Sequence, residues 1–153
     1  MGRVQFVEML LNVKGVEVNK TIKEQYFALG TACGQGHVEV AKLLLASDEI
    51  EVNKALKDGT TALHYTLGHK TKELLESGRS RFKVVELLLA APGIDVNKRT
   101  TKHNSTPLVV GCTAGHVASV KVLLPKKGVM LIWRVVDLVV LSSLLAREDT
   151  PKS

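Results

Sequence analysis

Gly36-His37-Val38-Glu39-Val40-Ala41-Lys42-Leu43-Leu44-Leu45, with Val52-Asn53 a short step beyond, carries the organisation of this chain. Its ending returns three more times: Met9-Leu10-Leu11 leads to Val18-Asn19, Leu87-Leu88-Leu89 to Val96-Asn97, and Val122-Leu123-Leu124 to Leu131-Ile132. The last residues of these triplets, Leu11, Leu45, Leu89 and Leu124, are 34, 44 and 35 residues apart. A period near 34 with one insertion is the simplest account. A second landmark holds the same register, because Gly2, Gly36, Ser80 and Gly115 each stand nine residues before the end of a triplet.

Between landmark and triplet the apolar residues recur at helical spacing, as in Val38, Val40, Leu43, Leu44 and in Phe82, Val85, Leu88, Leu89. That is the second helix of each unit. A shorter first helix is announced by Thr61-Ala62-Leu63-His64 and by Thr106-Pro107-Leu108, where proline suits an early helical position whose N–H has no partner. The connections from Asn53 to Thr60 and from Asn97 to Ser105 are polar and turn-like, with Asp58-Gly59 the strongest hairpin signal.

Composition agrees with an aliphatic helical protein. The chain has 153 residues, 45% hydrophobic and 24% charged, which is close to the globular average and suits one domain. Aromatic residues are only 4%, which disfavours a β-sandwich and a base-stacking surface for single-stranded nucleic acid. Two cysteines, Cys33 and Cys112, are too few for a disulfide scaffold. The N-terminal stretch is too short and too interrupted for a signal peptide, so a cytoplasmic or nuclear location is expected.

These landmarks together resemble the ankyrin-repeat family. The resemblance covers about residues 2–128, and its closest segments are Thr61-Ala62-Leu63-His64, Ala32-Cys33-Gly34-Gln35-Gly36-His37 with Glu39-Val40, and Gly93-Ile94-Asp95-Val96-Asn97. It implies an all-α solenoid of stacked helix-turn-helix units joined by β-hairpin loops. The expected division is a half unit at 2–19, units at 20–53, 54–97 and 98–131, an apolar C-terminal helix at 129–146 and a polar tail at 147–153. Function is then expected to be non-catalytic: a scaffold or adaptor that binds a protein partner through hairpin tips and the concave helical face, as a monomer and without cofactor or metal.

Several departures from the family pattern shape the expectations. The chain opens at the second helix of its first unit, without the polar cap that solenoids need, and so reads as a fragment, such as a regulatory piece of a larger enzyme. Phe27-Ala28-Leu29-Gly30 replaces the Thr-x-Leu-His start, and Gln25 stands where the hairpin glycine is expected. The third unit carries about ten extra residues at 68–79, including Lys70, Lys72, Glu73, Leu74 and Leu75, read as tolerated loop length. Residues 129–146 carry only Arg134 and Asp137 as charges, at helical spacing. A packed or misfitted terminal helix is preferred there to a tail anchor, since charges near a bilayer centre cost about 2.5 to 3.5 kcal/mol each. A membrane-tethered adaptor is the alternative reading.

Catalysis finds no foothold. Cys33-x-x-x-His37 and Cys112-x-x-x-His116 look like halves of a zinc site, but units two apart separate them by roughly 20 Å, too far to share a metal or a disulfide. The resemblance implies a structural, loop-holding role for His64. Gly68-His69-Lys70-Thr71 lacks the glycine that a phosphate loop requires.

Charge is more informative. The net charge is +6, and the three hairpin stretches hold Lys20, Lys23, Lys54, Lys57, Lys98, Arg99 and Lys102 against Glu24 and Asp58, a local net of +5. Stacking would align these along one edge and steer a partner with an acidic face; specific nucleic-acid binding is not expected. The family's usual contact positions fall on Lys23, Glu24, Tyr26, Lys57, Asp58, Thr60, Lys102, His103 and Ser105, with Gln35, Thr113 and Ala114 on the concave side. Tyr26 is the expected anchor, because tyrosine offers large contact area at low entropic cost.

Overall fold

The computed structural model describes residues 3–68, 76–126, 128 and 129. Seven helices and one small hairpin follow in the order α1 (Arg3–Leu11), β1 (Thr21–Ile22), β2 (Tyr26–Phe27), α2 (Ala28–Gly34), α3 (Val38–Leu45), α4 (Ala62–Gly68), α5 (Glu76–Ala90), α6 (Pro107–Ala114) and α7 (Val117–Leu123). The helices make two layers: α2, α4 and α6 pack side by side in one, and α1, α3, α5 and α7 in the other. Each of α2/α3, α4/α5 and α6/α7 also packs as a pair, so the chain is the stacked helical solenoid that the repeat predicts. A helix of seven or eight residues is marginal alone, and its stability comes from burying an apolar face against neighbours. The buried apolar residues accordingly form one cluster from Phe27 through Leu44, Leu63 and Leu88 to Leu123.

Local signals end these helices where the sequence says they should. The Thr106 hydroxyl accepts from the Val109 N–H at 3.4 Å, and Pro107 takes the first helical position. Turns at Gly36 and Gly115, with φ of +73° and +77°, separate the helices of their units. Ser80 occupies the same register but lies inside α5, which begins at Glu76. The insertion expected as loop over residues 68–79 is therefore helical at its C-terminal end, where serine imposes no left-handed break. Residues 69–75, with Lys70, Lys72, Glu73, Leu74 and Leu75, lie outside the described residues, as do 130–146 with Arg134 and Asp137.

The recurring asparagine has a clear task. Asn19 donates its amide to the Glu49 carbonyl at 2.6 Å and accepts from the Glu51 N–H at 2.9 Å. Asn53 repeats this one unit on, donating to Gly93 O and accepting from Asp95 N, both at 2.7 Å. Asn97 donates to Gly128 O at 2.6 Å. Each side chain thus satisfies backbone groups in the connection of the following unit, groups that no helix or sheet would pair.

The second unit solves its divergent start sterically. Phe27 is 3% exposed and its ring lies over Gly30, where an added Cβ would sit 2.5 Å from Phe27 Cζ. A ring thereby fills the space that a side chain at position 30 would need. The same ring meets Tyr65 of the next unit edge-on, with centroids 5.9 Å apart and planes at 80°. The hairpin before it turns without glycine: Lys23 and Glu24 take φ of +50° and +56°, and Gln25 N donates to Ile22 O at 3.1 Å. Both central residues of the Ile22–Gln25 turn are left-handed, and Lys23, Glu24 and Gln25 together connect the paired Ile22 and Tyr26.

Two stability changes follow. Asn53→Ala removes two inter-unit hydrogen bonds, and urea unfolding should show a loss of about 1 to 3 kcal/mol, with the exposed Asn12→Ala near zero. Gly30→Ala should cost about 1 to 3 kcal/mol by overpacking, and less than that when Phe27 is already leucine.

Candidate interaction surface

Three hairpin connections, at residues 21–27, 55–61 and 100–105, project from the start of α2, α4 and α6. The second closes through an Ala55–Thr61 bridge, with Leu56 N donating to Thr60 O at 3.0 Å and Thr60 N to the Asp58 carboxylate at 2.9 Å. In the third, Thr100 N donates to Ser105 O at 3.0 Å, while Ser105 N donates to Thr100 Oγ1 at 3.1 Å.

Neighbouring tips are held to one another. Tyr65 Oη donates to Gln25 O, and Lys57 Nζ meets Glu24 Oε1 at 2.5 Å, joining the first two. Thr101 N donates to Asp58 O at 2.7 Å, and a Cβ on Gly59, whose φ is +80°, would lie 2.5 Å from Arg99 O. Only glycine lets the second and third tips approach so closely.

His64 makes the third link. Its Nδ1 accepts from the Thr61 N–H at 3.2 Å and lies 2.8 Å from Thr61 Oγ1, so the ring proton resides on Nε2, which donates to Ser105 O at 3.1 Å. Both nitrogens are engaged in scaffold bonds, as the family resemblance implies. Burial holds its pKa below the usual 6.5, against the opposing pull of the Ser105 carbonyl and of Asp58 and Asp95. Burial also pushes the Cys33 thiol up to about 12, against a lowering hydrogen bond with Thr66. Cys33 and Cys112 are both buried, and among the described residues no three His, Cys, Asp or Glu side chains gather as a metal-ligand set.

The expected contact residues divide by place. Lys23, Glu24, Tyr26, Lys57 and Asp58 converge on one concavity of about 590 Å³ between the first two tips. Leu56 and Tyr65 line it too, and sequence reasoning missed both; the signals were a large aliphatic residue in the otherwise small or polar run 54–60 and an aromatic directly after His64. Lys102 and His103 are exposed at the third tip, and Gln35 and Thr113 at the ends of α2 and α6. Thr60, Ser105 and Ala114 are half-buried, and the backbone of Ser105 is committed to the scaffold.

The basic edge is less uniform than a residue count suggests. Lys20 pairs with Glu17, Lys54 with Glu51 at 3.6 Å and Lys57 with Glu24. Glu17 and Glu51 precede the hairpin stretches, so a tally of the stretches omits them. The Lys57–Glu24 pair is 75% and 64% exposed, and at about 0 to 1 kcal/mol it orders the tips more than it stabilises them. Among the described residues, Lys23, Lys98, Arg99 and Lys102 have no carboxylate within 4.0 Å. No helix of the described residues is long and apolar enough to cross a membrane.

A family model for ankyrin repeats, three copies, matches residues 1–100. This chain belongs to the ankyrin-repeat family. Ankyrin repeats are in general protein–protein interaction modules, typically non-catalytic. The pair α6/α7 lies beyond the matched stretch, yet it continues both layers, and Gly128 after it takes the Asn97 bond. We find no curated protein that matches the chain.

The sign of the His64 shift sets a pH dependence. A folded-state pKa below 6.5 means that the fold favours the neutral ring, so its contribution is complete above 6.5 and is lost as pH falls through the lowered value. Melting temperature should fall as pH drops below about 6.5, and His64→Gln should flatten that part of the profile.

Proposed function

We propose that this ankyrin-repeat chain is a non-catalytic scaffold that captures an acidic segment of a partner protein along its hairpin tips. The observation that supports this most is the concavity between the first two tips: Tyr26, Tyr65 and Leu56 offer apolar contact, and Lys23 lines it together with Asp58 and the paired Lys57 and Glu24. Tyr26 is 50% exposed and available as an anchor. Lys102 extends the basic character to the third tip, and Gln35 and Thr113 supply polar contacts on the concave helices. Hydrogen bonds and close packing between tips hold this surface in place before a partner arrives, so binding orders little. The cations without a carboxylate within 4.0 Å among the described residues, Lys23, Lys98, Arg99 and Lys102, steer the encounter, and the aromatic pocket supplies residence time. The working compartment in this reading is the cytoplasm or nucleus.

Capture from cell extract would test it, using the wild-type chain, a Lys23→Glu, Lys102→Glu variant and Tyr26→Ala. Lys23 and Lys102 are chosen because neither has an ion pair to lose among the described residues. Partners bound by the wild type should carry acidic segments, weaken as salt rises, and fall by roughly thirtyfold or more in affinity with Tyr26→Ala. Partners that bind all three chains equally would refute the proposal.

A further inference from the structure

Charge is divided unevenly along the stack. From Val96 to Val129 the chain holds six basic residues and no acidic one, which equals its whole net charge of +6. The remaining residues therefore balance. The third tip lies within this acid-free stretch. Lys98 and Lys102 are exposed there and Arg99 is half-buried, and none has a carboxylate within 4.0 Å among the described residues.

The concavity between the first two tips differs in kind. Its charged residues, Lys23, Glu24, Lys57 and Asp58, cancel in formal charge, and Lys57 is already paired with Glu24. The Asp58 carboxylate accepts from the Thr60 N–H. What the concavity offers is apolar area: Tyr26, half exposed, with Leu56 and Tyr65. It selects for a large apolar side chain, whereas the third tip selects for negative charge.

The two are also held at a set separation. Asp58, which lines the concavity, accepts through its carbonyl from the Thr101 N–H at 2.7 Å, and Gly59 lies against the backbone of Arg99 and Thr100. Packed helices, and so the units that carry these tips, stand about 8 to 10 Å apart. The concavity is centred between the first and second tips, so the third is about one and a half steps away, or roughly 12 to 15 Å. An extended chain covers that distance in about four residues.

We propose that the tips read a two-part ligand: an extended segment of a partner protein with one large apolar residue, seated in the concavity, and an acidic cluster about four positions away, lying over Lys98, Arg99 and Lys102. This rests on the hairpin-tip reading above and deepens it by adding an uncharged anchor and a spacing. Either chain direction satisfies the geometry, because separation alone is set.

Fluorescence anisotropy with the full chain and labelled synthetic peptides tests it. Each peptide carries one Trp and two adjacent Asp in an otherwise Gly-Ser sequence. The nearer Asp stands one, four or ten positions from the Trp, in both chain directions. The four-position peptide should bind best in at least one direction. Its advantage should be roughly tenfold over the one-position peptide, whose Asp pair falls short of the third tip, and about fourfold over the ten-position peptide. Replacing the Trp by Ala, or both Asp by Asn, should cost roughly tenfold each. Tyr26→Ala, and the exposed pair Lys98→Gln with Lys102→Gln, should each erase the preference for four positions while leaving the melting temperature unchanged. Equal affinity at all three separations, with the Asn peptides still weakened, would overturn the two-part ligand and leave acidic capture standing. Affinities indifferent to the Asn replacement would overturn both. No binding by any peptide up to about 1 mM would overturn the two-part ligand, and the wider reading would then stand or fall on capture from extract.

Discussion

The structure depends on satisfying the backbone between units. Helices of seven or eight residues cannot bury their own apolar faces, and stacking them forces connecting segments into close parallel array. Those segments carry N–H and C=O groups that neither helix nor sheet pairs. Asn19 and Asn53 each answer one donor and one acceptor in the next unit, and Asn97 answers an acceptor at Gly128. Apolar stacking supplies the driving force, and the amides set the offset at which one unit meets the next.

With that offset set, the tips must meet one another, and each junction uses the chemistry its residues permit. Between the second and third units an aromatic edge contact and the Tyr65 hydroxyl do the joining. Between the third and fourth, the His64 ring and the Asp58 carbonyl do so. Phe27 with Gly30 and Thr61 with His64 occupy equivalent places, one as a large residue over an absent side chain, the other as a small residue bonded to a ring. The concavity that holds Tyr26 lies at this aromatic junction, with Tyr65 in its lining.

Much of this was legible in the sequence, because period, triplets and the Thr-x-Leu-His start are each written in residue types with strong local preferences. Pro107 and Thr106 marked α6, and the repeat of Val-Asn marked the register. What escaped most were features that depend on contacts between distant residues. Nothing local says that the asparagines bridge units; Gly30 beneath Phe27 and the pairs Glu17–Lys20 and Glu51–Lys54 are contacts only three residues apart, and residue type alone did not mark them. Ser80 was matched to glycine landmarks by position alone, whereas its backbone continues a helix. Of the site, exposure of the tips followed from the fold, but the participation of Tyr65 and Leu56 required the juxtaposition of two hairpins.

The third unit shows how indifferent the stack is to chain length within a unit. The Asn19 bonds span 30 and 32 residues and the Asn53 bonds span 40 and 42, yet the distances scarcely differ. The extra residues leave α4 and rejoin at α5 without disturbing the rungs on either side. That junction is a natural port at which foreign peptide could be spliced into the solenoid without altering its pitch.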